Sequence, residues 1–325
     1  MKTGHWFPMD EPALLSLALS PKTDADRERL TQGLQKVMGE DPTLRVKGGA
    51  LTGEVVIAVI SELQLEIVVA RLKREFNVEA SIGRPQVAYK ETFTRSAEGE
   101  MKYATQADGC GQYAHAKINL SPGESGSGYV FQNMITGGAI PNEFIPSVDE
   151  GIKEALTEGV LAGYPVDDVR IELCDGSYHD VDSSEAAFKI AGAMAFQDAA
   201  QKAGPVLLEP VMRVEVVVSK EYVSDVMANL SSRRGRIQSG EDRGSTQMIS
   251  AHVPLSEMFG YSGDLRTRTC GRGTFVMQFD HYQPVRRAED DGARESFVRA
   301  PRRPSPTPRS YRVALPEPEG GAPDD

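Results

Sequence analysis

The chain has 325 residues, 40% of them hydrophobic and 26% charged, a soluble globular composition long enough for two or three domains. The net charge is −11, and residues 88–205 hold almost all of it, with 8 Lys/Arg against 18 Asp/Glu, which excludes a uniformly basic phosphate binder. No apolar run approaches a membrane span, no secretory signal opens the chain, and three scattered cysteines (Cys110, Cys174, Cys270) rule out a disulfide framework and suit a reducing cytoplasm.

Residues 1–87 read as strand, helix, strand, strand, helix, strand. Leu14 to Ser20 is a strand stopped by Pro21. Acidic residues from Asp24 precede Leu30, Leu34, Val37 and Met38 at helical spacing, and Gly39 and Pro42 end that run. Glu54 to Ile60 is β-branched and strand-like, and Leu63 to Phe76 is helical with Lys73 and Arg74 in its last turn. Two such halves make a split β-α-β unit of the ferredoxin-like kind.

Residues 88–205 open with predicted strands at Val87–Thr94, Met101–Thr105 and Ala116–Leu120. A helix follows from Val148 to Leu161, closed by Gly163 and Pro165, then a strand from Val166 to Leu173. Asp182 with Glu185 gives a capping-box pattern before a second long helix that ends by Gly204-Pro205. Residues 206–285 repeat the split pattern: strand Val211–Val218, helix Lys220–Leu230, strands Arg236–Gly240 and Gln247–Val253, helix Leu255–Leu265, strand Thr274–Phe279. Residues 286–325 are rich in proline and arginine and poor in apolar residues, the composition of a disordered tail.

Enzyme signatures are missing from the sequence. There is no G-x-x-x-x-G-K-[ST] phosphate loop, no G-x-S-x-G elbow and no H-E-x-x-H helix, and the five histidines (5, 115, 179, 252, 281) do not pair at metal-ligand spacing. The expectation is a non-enzyme without a metal or cofactor of its own.

Several long motifs occur in order. Residues 206–285 contain Ser231-Ser-Arg-Arg-Gly-Arg-Ile237, Glu241-Asp-Arg-Gly244, Pro254-Leu-Ser-Glu-Met-Phe-Gly-Tyr-Ser-Gly-Asp-Leu-Arg266, Gly271-Arg-Gly-Thr274 and Phe279-Asp-His-Tyr282. The middle segment contains Gly138-Ala-Ile-Pro-Asn-Glu-Phe-Ile-Pro146, Gly163-Tyr-Pro-Val166 and Asp175-Gly-Ser-Tyr-His-Asp-Val-Asp-Ser-Ser-Glu185. The first contains Ser20-Pro-Lys-Thr-Asp-Ala-Asp26, Glu40-Asp-Pro42, Arg74-Glu-Phe-Asn-Val-Glu79 and Gly83-Arg-Pro-Gln-Val-Ala-Tyr89. From Pro12 to Pro284 the chain resembles the C-terminal half of elongation factor G, the ribosomal translocase, without its GTPase and β-barrel domains.

The resemblance implies an α+β protein: ferredoxin-like domains at 1–87 and 206–285 flanking, at 88–205, a domain like the second domain of ribosomal protein S5 with its unusual crossover, plus the tail at 286–325. It implies a cytoplasmic translation protein that binds the ribosome at the translocation step. Its partners would be rRNA, the tRNA and mRNA region of the decoding centre, ribosomal proteins and a separate GTPase half, with no membrane. GTP and Mg would enter only through that GTPase half.

In the family the middle domain imitates a tRNA anticodon arm, and two loops at its tip match Gly109, Cys110, Gly111, Gln112, Tyr113, Ala114 and His115, and Ser177, Tyr178, His179 and Asp180. Glycines let backbone approach RNA, Tyr178 offers a stacking face, and His179 can donate a hydrogen bond without a fixed charge. Arg233, Arg234 and Arg236 are candidate contacts to rRNA or ribosomal protein, a solvated charge run being the alternative. The acidic middle segment fits either RNA imitation or solubility.

Three departures from the family pattern stand out. Cys110 replaces an Arg and Ala114 a Gly. Ala58-Val-Ile-Ser-Glu-Leu-Gln64 stands where the family has Gly-Met-Gly-Glu-Leu-His, a stretch that faces the GTPase domain. These leave a second reading open: a degenerate paralogue that regulates or occupies the factor site, or recruits a partner through its tail.

Overall fold

The structure, a computed structural model, describes residues 13–48, 55–107 and 110–285. The segment expected to be a disordered tail lies outside the described residues. Three sheets with helices laid against them make an α+β fold.

The first sheet is built from β1 (Leu15–Pro21), β2 (Arg45–Gly48), β3 (Val55–Val59) and β4 (Ala80–Ile82), with α1 (Asp24–Glu40) and α2 (Glu62–Glu75) in the two crossovers. Its antiparallel order, β2-β3-β1-β4, is the ferredoxin-like arrangement. Leu15, Leu17 and Leu19 alternate inward along β1, where they meet Leu30, Leu34 and Val37 of α1 and Leu65, Val68 and Leu72 of α2. Thr23 caps α1 by accepting the Asp26 N–H, and Ser61 caps α2 by accepting that of Gln64.

Gln64 occupies the position where the resemblance expects histidine. Its amide donates to Asp41 Oδ2 (2.6 Å) and Thr43 Oγ1 (2.7 Å) and accepts the Ile60 N–H (2.9 Å). The start of α2 is thereby tied to the loop after α1. Burial works against the charge on Asp41, but hydrogen bonds from Thr43 and Gln64 outweigh it and hold its carboxyl below the usual range.

The middle sheet contains β7 (Ala97–Ala107), β8 (Cys110–Pro122), β9 (Tyr129–Asn133) and β10 (Val169–Ser177) in the order β7-β8-β10-β9, with β9 parallel to β10. Helices α3 (Ile145–Glu158) and α4 (Glu185–Lys202) cover it, and Phe188 and Phe196 of α4 are wholly buried in its core. Gly151 and Gly192 leave no room for a Cβ against the facing helix backbone, so the two helices meet closely. Ala114, where the family has Gly, is fully buried in this core.

The third sheet repeats the first. It holds β11 (Pro205–Ser219), β12 (Arg236–Arg243), β13 (Thr246–Pro254) and β14 (Thr274–Pro284), with α5 (Val223–Ser232) and α6 (Tyr261–Arg268), in the order β12-β13-β11-β14. One apolar cluster takes in residues of both the first and third units. Gly260 N–H donates to Glu62 Oε2 across them (3.2 Å).

Four local readings change. Residues 87–94 do not form one strand of the middle sheet: β5 (Gln86–Val87) joins β1, and β6 (Lys90–Phe93) pairs with the start of β11. Strand β9 was not expected. The cap of α4 is Ser184, which accepts the Ala187 N–H, and not Asp182. The helix read over 255–265 is a short 3-10 turn (Leu255–Glu257) followed by α6, interrupted at Gly260, whose φ is +70°.

The element that joins the units is Glu91 on β6. It is fully buried, and its carboxylate accepts the N–H groups of Val160 (2.7 Å), Leu161 (2.8 Å), Ala162 (2.7 Å) and Tyr164 (3.1 Å) in the turn after α3. Its backbone N–H donates to Pro165 O and its carbonyl accepts from Asp167 N. A bracelet of inward N–H groups thus closes on one side chain.

Replacing Glu91→Ala would leave those four N–H groups, one of them buried and three part-buried, without their acceptor, at a cost of about 3 kcal/mol. The urea midpoint of the full chain should fall accordingly, with α3-turn amides losing protection from hydrogen exchange. For Asp41 the sign follows from its lowered folded value: the stabilisation is present at neutral pH and disappears as pH falls through that value. Gln64→Ala should move the Asp41 carboxyl back toward its ordinary range, so less stability is lost on going from neutral to acid pH. Carbon-13 titration of the Asp41 carboxyl checks it.

Candidate functional site

Strands β7 and β8 pair without interruption from Ala97↔Leu120 to Ala107↔Cys110. At about 3.3 Å per residue the hairpin carries its end roughly 35 Å from its base. Strand β10 runs beside β8 with Ser177 opposite His115, so the second loop emerges at the same end as the first. The two loops expected from sequence therefore lie side by side. Gly109 lies outside the described residues, and Cys110 is described only as the backbone that begins β8.

Hydrogen bonds knit the loops together. The Tyr113 hydroxyl meets Ser177 Oγ at 2.8 Å, and the same oxygen lies 3.0 Å from His115 Nδ1. His115 Nε2 is 3.0 Å from Glu100 Oε1, so both nitrogens of this ring are committed within the domain. Ser183, which sequence reasoning passed over, is the pin. Its hydroxyl donates to Tyr113 O (2.8 Å) and accepts the His179 N–H (2.9 Å), while its own N–H donates to His179 O (3.1 Å). Tyr113 N–H in turn donates to Asp182 O (2.8 Å).

What the tip offers outward is mostly uncharged or acidic. Tyr178 is 43% exposed and Val181 83% exposed, and Gln112, His179 and Asp180 also face solvent. Lys102 lies over the Tyr113 ring, 5.3 Å from its centroid. A surface of this kind can stack on bases and exchange hydrogen bonds, which is how unpaired RNA is read, and has little to neutralise phosphate with.

The three arginines separate. Arg233 is 16% exposed. Its guanidinium donates to the carbonyls of Glu257 and Phe259 and to Asp264 Oδ2 (2.6 Å), and it lies over the Tyr261 ring. Arg234, at φ +61°, grips both oxygens of Glu209, a carboxylate only 2% exposed that also accepts from Gln283. Both side chains are occupied in holding α5, β11 and the turn before α6 together. Arg236, by contrast, is exposed at the start of β12.

Among the described residues, no three His, Cys, Asp or Glu side chains converge as a metal site, and no helix is long and apolar enough to cross a membrane.

Comparison with known proteins matches residues 11–84 to the family model for elongation factor G domain III, residues 85–204 to domain IV, and residues 206–291 to the elongation factor G C-terminus. The chain belongs to the elongation factor G family. A crystal structure of a Thermus thermophilus protein is similar at 40% identity and a TM-score of 0.68, over 86% of this chain and 42% of that one. The elongation factor G-like chain thus spans less than half the length of that protein. In elongation factor G terms the paired loops are the far end of domain IV, and the Glu209–Arg234 clamp is internal to the C-terminal domain.

Arg234→Ala should destabilise the fold by about 2 kcal/mol, less than a fully buried ion pair would lose because Gln283 still donates to Glu209. Arg236→Ala should leave the thermal midpoint unchanged. Thermal unfolding of both variants separates the structural arginine from the free one.

Proposed function

We propose that this chain acts in protein synthesis as an elongation factor G-like protein that binds the ribosome at the translocation step. The observation that carries the reading is the joined pair of loops, Tyr113–His115 and Ser177–Ser183, held rigid at the end of an 11-residue strand pairing. The tip of the middle domain enters the tRNA and mRNA region of the decoding centre, with Tyr178 stacking and His179 hydrogen-bonding there. Arg236 of the last domain contacts rRNA or ribosomal protein. These three domains hydrolyse no GTP themselves; that step belongs to a GTPase domain, on this polypeptide or another, and the work takes place in the cytoplasm.

A second reading is favoured by Gln64. All of its amide capacity used here is spent within the first domain, on Asp41, Thr43 and Ile60, at a position expected to face the GTPase domain. Such a protein would occupy the factor site as a regulator.

Co-sedimentation with bacterial ribosomes tests the binding shared by both readings. The full chain should pellet with ribosomes at low salt, and the double change Tyr178→Ala with His179→Ala should weaken binding about a hundredfold, the order expected for a lost stacking contact together with a lost hydrogen bond. No binding by the folded chain at low salt would overturn it. Stimulation of translocation when a GTPase half is added separates the factor from the regulator, which would inhibit.

A further inference from the structure

Two histidines stand at the tip, and only one has a nitrogen to spare. His115 is bracketed by Ser177 and Glu100. His179 is 59% exposed; its Nδ1 lies 3.1 Å from Asp182 Oδ2, and its Nε2 has no hydrogen-bond partner among the described residues. We propose that Asp182 is a positioning residue that holds His179 in the tautomer protonated at Nδ1, so that the tip presents Nε2 as a hydrogen-bond acceptor to an O–H or N–H donor of RNA. This rests on the ribosome-binding reading for the identity of the recipient, though not for the tautomer.

The chemistry of the pair sets the direction. A carboxylate can only accept, so the proton between the two groups belongs to Nδ1. In the neutral ring the other nitrogen is then a bare acceptor. The donor role read from sequence for His179 is thereby reversed. Ribose 2′-hydroxyls and base N–H groups are the RNA donors that such an acceptor recognises, and phosphate is rejected.

Asp182 is placed to do this and little else. Ser184 caps α4, which leaves the Asp182 carboxylate unused by the helix. Its backbone carbonyl is anchored by Tyr113 N–H. The carboxylate itself rests against Gly111, where a Cβ would stand 2.6 Å from its Oδ1. Gly111 is therefore the floor of the carboxylate's seat, and a methyl group there would push the carboxylate away. His179 is fixed independently, since Ser183 binds both its N–H and its carbonyl. Ring and carboxylate are thus held by separate anchors, and the 3.1 Å contact between them orients the ring.

The test uses the full chain with nitrogen-15 histidine and two-bond proton–nitrogen correlations, with His179 assigned by the loss of its signals in His179→Gln. Wild type should show the Nδ1–H tautomer. Asp182→Ala and, separately, Gly111→Ala should shift it toward Nε2–H, the form favoured by a histidine side chain without a partner, and Asp182→Asn, whose amide oxygen can still accept, should stay closer to Nδ1–H than Asp182→Ala does. A wild-type ring dominated by Nε2–H, or no change in Asp182→Ala, overturns the proposal.

Ribosome co-sedimentation adds the functional arm. Asp182→Ala should weaken binding about tenfold in wild type and not at all in the His179→Ala background, a coupling of the size seen for contacting residues. Equal losses in both backgrounds would show that Asp182 does not act through His179, and would overturn the positioning role. If the folded wild-type chain fails to bind ribosomes while the tautomer results hold, the ribosome reading falls and the positioning of His179 stands.

Discussion

Everything beyond the base of the middle domain is aimed by one buried carboxylate. The chain passes into that domain at Phe93–Ala97 and out of it at Ala203–Pro205, and these crossings lie side by side because β6 pairs with the start of β11. Two adjacent strands alone would make a hinge. Glu91 turns the hinge into a joint: its backbone belongs to the third sheet's edge, and its side chain collects four N–H groups from the turn after α3. Lys90 pairs with Asp167, Tyr89 packs on Tyr164, and the Tyr282 hydroxyl donates to Ala88 O (3.0 Å), so the same short segment is gripped from three sides. Because an unsatisfied buried polar group is costly, a rotation that broke these bonds would have no low-energy alternative.

A rigid joint matters because of what it supports. An angular error at Glu91 would be magnified along the β7–β8 hairpin, which extends roughly 35 Å to the tip. The tip depends equally on its own ties, since Tyr113, Ser177, Asp182 and Ser183 weld loops that are more than sixty residues apart in sequence. Both ends of the lever are thus built from short hydrogen bonds to backbone, and the length between them from continuous antiparallel pairing. The rigidity that recognition needs comes from backbone geometry, with Phe188 and Phe196 of α4 anchoring the sheet.

Much of this was legible in the residues, and what was not has a common physical cause. The leucine alternation of β1, the helical spacing of α1 and α2, and the repeat of the split pattern after Pro205 are local signals, and each gave its element. Strand β9 was missed because Tyr129–Asn133 is only half-buried and gains its place by pairing with β10, some forty residues later. The run 87–94 looked like one strand because both of its halves are extended; nothing local says that they belong to different sheets. Arg233 and Arg234 read as outward candidate contacts to rRNA or ribosomal protein because their partners, Asp264 and Glu209, lie thirty-one and twenty-five residues away. The two tip loops came from the resemblance; by their residues alone they read as ordinary turns. Their pin, Ser183, was hidden between Asp182, which the capping-box pattern made the helix cap, and Ser184, which is the cap.

The charge pattern takes on a narrower meaning against this geometry. Part of the carboxylate excess in residues 88–205 is engaged near the tip, Glu100 by His115, Asp182 by His179 and Asp175 by the adjoining backbone N–H of Gly176, while Asp180 stays exposed. What remains outward is a tyrosine face, an aliphatic side chain, a Gln112 amide, a ring nitrogen and one carboxylate, Asp180. A surface with so few free cations gains little from counterion release, so whatever it recognises it must recognise by shape and by hydrogen-bond sense. For such a surface the direction of a single hydrogen bond carries information that a positive charge would not, and an acidic domain can present it without attracting phosphate elsewhere along its length.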